Sequence, residues 1–167
     1  MLIRDEVARD HAAVRHVVAS AFETAAESRL VDALRERARP VVSLVAEKAG
    51  SVVGHVMFSP VSLSGHPEVP MMGLAPMAVA PEHQRTGIGS ALARAGLDRC
   101  AQLGIAAVVV LGHPAYYPRF GFVPASRFEI DCEYADTEEA FMAIELIDGA
   151  LRTASGRIHY HAAFADL

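Results

Sequence analysis

The sequence predicts an α/β fold, a mixed and mainly antiparallel sheet flanked by helices, built as one domain over residues 1–167. Three observations predict it. Two β-rich runs, VVSLVAEK and SVVGHVMFSPVSLS, are separated by a two-residue turn, the pattern of an antiparallel hairpin. A strand–helix–strand order follows, and its second strand, IAAVVVL, is apolar throughout, as a buried parallel strand requires. The 167 residues are 52% hydrophobic and 21% charged, which suits a single core and excludes a disordered chain.

Each element can be justified in order. Residues 2–7 read as a first strand. Asp10 stands where a helix N-cap belongs. Behind it Val14, Val17, Val18, Ala21 and Phe22 fall at helical spacing. A second helix spans about 26–38, with Leu30, Val31, Leu34 and Ala38 on one side, and Pro40 ends it. The hairpin turns at Ala49-Gly50, and its second strand breaks at Pro60. HPEVP (66–70) is a loop, and GLAPMAVA (73–80) a central strand. A helix over 87–103 turns Ile88, Leu92, Ala95 and Leu103 inward and is capped by Gly104. After the strand Ile105–Leu111, a short turn or helix at 114–120 leads to GFVPA. Weaker strands lie near 139–147 and 157–161.

Composition excludes several function classes. The net charge of −5 argues against a nucleic-acid partner. No apolar run reaches the roughly 20 residues of a membrane span, so no membrane partner is expected. The start of the chain, with charges at Arg4, Asp5, Glu6 and Arg9, lacks a signal-peptide apolar region. A soluble, cytoplasmic protein is therefore expected. Two cysteines, Cys100 and Cys132, exclude a disulfide scaffold and a four-cysteine zinc site. His159 and His161 point the same way on a strand but have no matching carboxylates, so no metal is expected. Between Glu129 and Asp148 stand eight acids and no base. This run reads as a solvated acidic face or as a rim that attracts a cationic substrate.

The segment Ala80-Pro81-Glu82-His83-Gln84-Arg85-Thr86-Gly87-Ile88-Gly89-Ser90 joins a strand to a helix. Free N–H groups and the dipole at a helix start attract phosphate. Glycines at 87 and 89 let an anion come close to the backbone, and Arg85 adds a cation. By residue type alone, an ordinary glycine-rich turn is the other reading. The segment is neither the dinucleotide fingerprint nor the Walker loop.

Gln84-x-x-Gly87-x-Gly89, following a strand that ends in Val79-Ala80-Pro81, resembles the acetyl-CoA signature of the GCN5-related N-acetyltransferases (GNAT). Tyr117-Pro118-Arg119-Phe120-Gly121-Phe122 resembles the Tyr-x-x-x-Gly-Phe segment of the same family. The stretch LGHPAYYPRFGFVPAS looks closest to its bacterial YhbS-like branch. The strong resemblance covers about residues 73–128. It implies the GNAT fold, in which a V opens between the fourth and fifth strands and takes up acetyl-CoA. The strand backbone around Met77, Ala78 and Val79 is then implied to pair with pantetheine and to offer an N–H to the thioester carbonyl. The N–H groups of Gln84, Arg85, Thr86, Gly87, Ile88, Gly89 and Ser90 are implied to hold the pyrophosphate.

The resemblance further implies direct attack by an amine on acetyl-CoA in a ternary complex, with Tyr117 as the acid for the leaving thiolate. The acceptor would be a small-molecule or peptide amine. A non-catalytic acyl-CoA-binding sensor is the alternative. Many relatives are dimers, and a homodimer is compatible with the resemblance. Pro114 and Pro118 depart from the commoner pattern and predict a bent turn rather than a helix around Tyr117. Glu23, Glu27, Glu82 and His113 are the candidate bases. Arg119 reads as either a CoA-phosphate contact or a solvated side chain, and Cys100 as a packing residue.

Overall fold

The computed structural model describes residues 1–135 and 139–167. Asp136 and Glu138 of the acidic run lie outside the described residues. The chain clusters into two compact units. One comprises residues 1–59, 75–98 and 162–167, and the other residues 60–74 and 99–161.

In the first unit, β1 (Leu2–Asp5) pairs antiparallel with β2 (Val42–Lys48), and β2 pairs antiparallel with β3 (Ser51–Leu63) through residue 58. Ala49 and Gly50, with φ of 51° and 81°, form the tight turn of this hairpin. The ladder carries a bulge between Ala46 and Glu47. β4 (Met71–Val79) lies beside β3, and the Ala80 N–H donates to the Val53 carbonyl at 2.8 Å. The helices are α1 (His11–Ala21), α2 (Ala26–Arg37) and most of α3 (Ile88–Gln102).

In the second unit, Met71–Gly73 of β4 pair in parallel with Ala107–Val109 of β5 (Ala107–Leu111). Pairing continues, in spatial order, to β8 (Phe141–Glu145) and then β6 (Val123–Pro124), both antiparallel. The end of β3 pairs with β9 (Gly156–His159), which also pairs in parallel with β7 (Ile130–Cys132). Leu63, Met71, Val109, Phe141, Leu151 and Ile158 are central to the core of this unit. The strand pairings give the expected mixed, mainly antiparallel sheet.

Four expectations need correction. Pro60 does not break its strand. β3 runs unbroken through it, and Pro60 lies between the β2 pairs, which end at Phe58, and the β9 pairs, which begin at Ser62. Asp10 does not cap α1. Its carboxylate accepts two hydrogen bonds from Arg4 (2.8 and 3.0 Å) and one from the Val7 N–H (2.8 Å). Leu103 is not inward but 51% exposed. The buried stripe of α3 runs through Ile88, Leu92, Ala93, Leu97 and Cys100, and the chain leaves the helix at Gly104, φ 82°. Ala38 lies beyond the end of α2, extended but still buried.

Two glycines bring α3 close to β3. A Cβ on Gly96 would land on the Cε1 atom of Phe58 and lie 2.5 Å from Cζ. A Cβ on Gly54 would meet Ile88 and Leu92 of α3 at 3.0 Å and the Ala78 carbonyl at 3.4 Å. Phe58 is fully buried and has no room to yield. Gly96→Val is therefore expected to lower stability by about 3 kcal/mol and Tm by roughly 6–12 °C in calorimetry. An unchanged Tm would contradict the close approach.

A chain of polar side chains runs from a sealed histidine to the surface of the same unit. His55 is inaccessible, with Nε2 2.8 Å from Ser43 Oγ. Ser43 Oγ donates to Glu6 (3.0 Å), so the His55 Nε2 carries the proton and Nδ1 is left as a bare acceptor. Arg35 grips Glu6 through two bonds (3.1 and 2.8 Å) and also reaches Asp32 (2.8 Å). Burial pushes the His55 pKa down to about 4; Glu6 opposes this shift and Arg35 adds to it. The unfolded chain takes up this proton near pH 6.5, whereas the folded chain resists until about pH 4. Stability from this group is thus present above pH 6.5 and lost as pH falls towards 4, up to about 3 kcal/mol. Urea unfolding at pH 7 and pH 4.5 should show this loss in the wild type and much less of it in His55→Gln. Equal slopes in both proteins would contradict the account.

Candidate active site

The β4–α3 connection is built within the first unit. β4 alternates between buried Pro76, Ala78 and Ala80 and half-exposed Ala75, Met77 and Val79. Because Ala80 bonds to β3, the carbonyl of the preceding Val79 points to the opposite edge. There it accepts a hydrogen bond from the Gln84 side-chain amide at 2.9 Å. Gln84 thus has a local mechanical role that residue types alone did not reveal: it ties the loop back to the end of its own strand.

A 3-10 turn over Pro81–His83 starts the loop. The Thr86 hydroxyl donates to the His83 carbonyl at 2.6 Å, and Arg85 (φ 63°) and Gly87 (φ 89°) take left-handed backbone angles. Gly87 needs to be glycine for its angle, not for space, since nothing lies within 4 Å of where a Cβ would stand. The helical ladder begins with the Ala91 N–H on the Gly87 carbonyl (3.0 Å), so the N–H groups of Ile88 and Gly89 precede it. Gln84, Arg85, Thr86 and Gly87 are exposed. An open backbone at a positive helix end, beside an exposed arginine, suits a pyrophosphate.

Tyr117 belongs to the second unit. It begins a four-residue 3-10 turn, Tyr117–Phe120, and Gly121 (φ 102°) closes it, so the proline-bent turn expected from the sequence is what forms. The ring is 8% exposed and meets Tyr116 edge-on (centroids 5.1 Å, 84°) and Phe122 likewise (5.7 Å, 77°). Burial, with a smaller contribution from Tyr116, pushes its phenol up to about 12. The hydroxyl therefore keeps its proton throughout the neutral range. Tyr116 is half-buried, and Arg119 stacks on its ring at 4.4 Å.

The remaining candidates divide between the two units. Glu23, Glu27 and Glu82 lie in the first unit; Glu23 and Glu82 are exposed, and Glu27 is 3.5 Å from the Thr24 hydroxyl. His113 lies in the second unit, is exposed, and gives its carbonyl to the Tyr116 N–H at 3.1 Å. Cys100 is fully buried beside Met72, and burial pushes its thiol up to about 12, which makes it inert as a nucleophile. No cluster of three metal-binding side chains occurs among the described residues.

The acidic run does not form a purely acidic rim. Asp131 pairs with Arg157 (3.2 Å), and the Glu145 carboxylate accepts the Leu151 N–H (2.8 Å). A cavity of about 880 Å³ in the second unit has both Glu129 and Arg157 in its wall. No helix among the described residues is long and apolar enough to cross a membrane.

Comparisons with known proteins agree with this geometry. A family model for an acetyltransferase (GNAT) domain matches residues 3–125. The chain is 39% identical over 165 residues to the uncharacterized N-acetyltransferase YhbS of Escherichia coli K12, covering 98% of each. It is also similar to the crystal structure of E. coli YhbS in complex with CoA. The TM-score is 0.92 and the identity 38%, covering 98% of this chain and 91% of that one. A GNAT acetyltransferase from Brucella melitensis in complex with acetyl-CoA gives a TM-score of 0.80 at 35% identity, over 98% and 97% of the two chains. With the family model spanning most of its length and these relatives matching nearly all of it, the chain belongs to the GNAT family of N-acetyltransferases.

Proposed function

We propose that residues 1–167 act as one cytoplasmic N-acetyltransferase domain that moves an acetyl group from acetyl-CoA to a primary amine by direct attack in a ternary complex. The observation that carries this reading is the β4–α3 loop, whose helix-start N–H groups and left-handed Gly87 leave open backbone for a pyrophosphate. The CoA and acetyl-CoA bound by the two similar structures support the same ligand here.

In this reading the N–H groups from Gln84 to Ser90 hold the pyrophosphate, and Arg85 adds a cation. The β4 backbone at Met77, Ala78 and Val79 binds pantetheine along the strand edge opposite β3. An N–H of the same stretch stabilises the charge that develops on the thioester oxygen. The amine nitrogen bonds to the acetyl carbon as the carbon–sulfur bond breaks, and the amine loses a proton to a base or water. Tyr117 donates its phenolic proton towards the departing thiolate. A phenol held near 12 does this by hydrogen bonding first, giving up the proton only as charge builds on sulfur. Acetyl-CoA supplies the activated acyl group, and the chain supplies orientation and these two donors.

Release of CoA, followed with a thiol reagent across a panel of polyamines, aminoglycosides, amino acids and peptide N-termini, tests the proposal. At least one amine should accelerate release saturably. Tyr117→Phe should lower kcat for that amine about 100-fold or more while leaving acetyl-CoA binding unchanged. Tight acetyl-CoA binding with no amine-dependent release would instead favour a non-catalytic acyl-CoA-binding module.

A further inference from the structure

We infer that Gly112 and Arg119 are positioning residues for the Tyr117 phenol, one clearing the seat of its ring and the other clamping the turn that carries it. The inference rests on the reading of Tyr117 as the acid and concerns how the second unit holds it. The turn is closed at its two ends by ordinary hydrogen bonds, Tyr116 N–H to the His113 carbonyl (3.1 Å) and Gly121 N–H to the Pro118 carbonyl (3.0 Å), but the backbone between them is held less closely. The Tyr117 N–H reaches the His113 carbonyl at 3.5 Å and the Arg119 N–H reaches the Tyr116 carbonyl at 3.4 Å. Pro118 contributes no N–H at all. Side chains therefore add to what sets the ring's place.

Arg119 does this from one side. Its Nε donates to the Tyr116 carbonyl at 2.8 Å, while its guanidinium lies 4.4 Å over the Tyr116 ring. One side chain thus holds both the backbone and the ring of Tyr116. That ring abuts Tyr117 edge-on, and Phe120 packs on it at 5.3 Å. The arginine that the sequence offered as a phosphate contact is engaged within its own turn.

Gly112 acts from the other side. A Cβ there would lie 2.5 Å from Tyr117 Cε2 and 3.5 Å from Cζ, the carbon that bears the hydroxyl. Gly112 has no left-handed φ, so its backbone angle does not demand glycine; the space does. It is also anchored, its N–H donating to the Ala140 carbonyl at 2.9 Å just after β5. A methyl group at 112 has no freedom to retreat and would push the hydroxyl end of the ring. A displacement of about 1 Å at a reacting group can cost up to 100-fold in rate.

The test combines Gly112→Ala, Arg119→Ala, Arg119→Lys and Tyr117→Phe with two readouts. One is kinetics with acetyl-CoA and the amine selected by the panel. The other is fluorine NMR of protein labelled with 3-fluorotyrosine, in which Tyr117→Phe assigns the Tyr117 line and no amine is needed. Gly112→Ala and Arg119→Ala should each move the Tyr117 line and lower kcat about tenfold or more, with KM for acetyl-CoA nearly unchanged. Neither should lower kcat further in the Tyr117→Phe background, and Arg119→Lys should recover part of the loss. Arg119 is exposed, so Arg119→Ala decides the matter if Gly112→Ala fails to fold. An unmoved line with wild-type kcat, or equal losses in both backgrounds, would overturn the inference alone. Full turnover by Tyr117→Phe would overturn the acid reading, and this inference with it.

Discussion

The close approach of α3 to β3 is the constraint on which the β4–α3 loop depends. Gly54 on the strand and Gly96 on the helix each leave out a side chain at the contact, and Phe58, Ile88 and Leu92 fill the space. With the helix seated this way, its first turn stands directly after the loop that leaves β4. Gln84 completes the arrangement by bonding to the Val79 carbonyl, so strand end and helix start are joined by side chain as well as by backbone. The proposed pyrophosphate site consists mainly of backbone N–H groups, so its precision would come from the packing of the elements that carry it.

The ionisable groups of the chain fall into two classes with opposite treatment. Arg4 with Asp10, and Arg35 with Glu6, are charged pairs tied by two hydrogen bonds each. The Arg4 guanidinium is the main cause holding the Asp10 carboxyl down to about 2. His55, Cys100 and Tyr117 are instead buried, and burial is the largest cause that keeps each neutral. For His55 that neutrality is structural. For Cys100 it removes the nucleophile that a covalent acetyl-enzyme would need. For Tyr117 it keeps the phenol protonated through the neutral range, which is what the proposed acid role asks of it.

Much of this was legible in the sequence because local rules and global fold agree. The hairpin at Ala49-Gly50, the buried parallel strand ending at Leu111 and the Gly104 cap follow from period and turn chemistry alone. The readings that failed did so where tertiary partners override a local rule. Asp10 has the residue type of an N-cap, but a bidentate arginine six residues earlier competes for its oxygens. Leu103 continues the helical period on paper, yet the helix has already ended. Pro60 interrupts a strand only if the strand keeps one partner, and β3 changes partners there. In the site, the motif spacing marked Gln84, Gly87, Gly89 and Tyr117. The roles of Gly96 and Gly112 could not be read, because a glycine that serves by leaving space is visible only once its neighbour is in place.

The proposed role of the backbone opening α3 is to hold the phosphate end of acetyl-CoA. Amide chemical shifts of isotopically labelled protein, followed while acetyl-CoA is titrated in, test it most directly. The Gly87, Ile88 and Gly89 amides should move together and saturate at one Kd, as N–H groups do when they acquire an anionic acceptor. If acetyl-CoA binds while these three amides stay still and others move, the loop is a turn only, and the cofactor is held elsewhere.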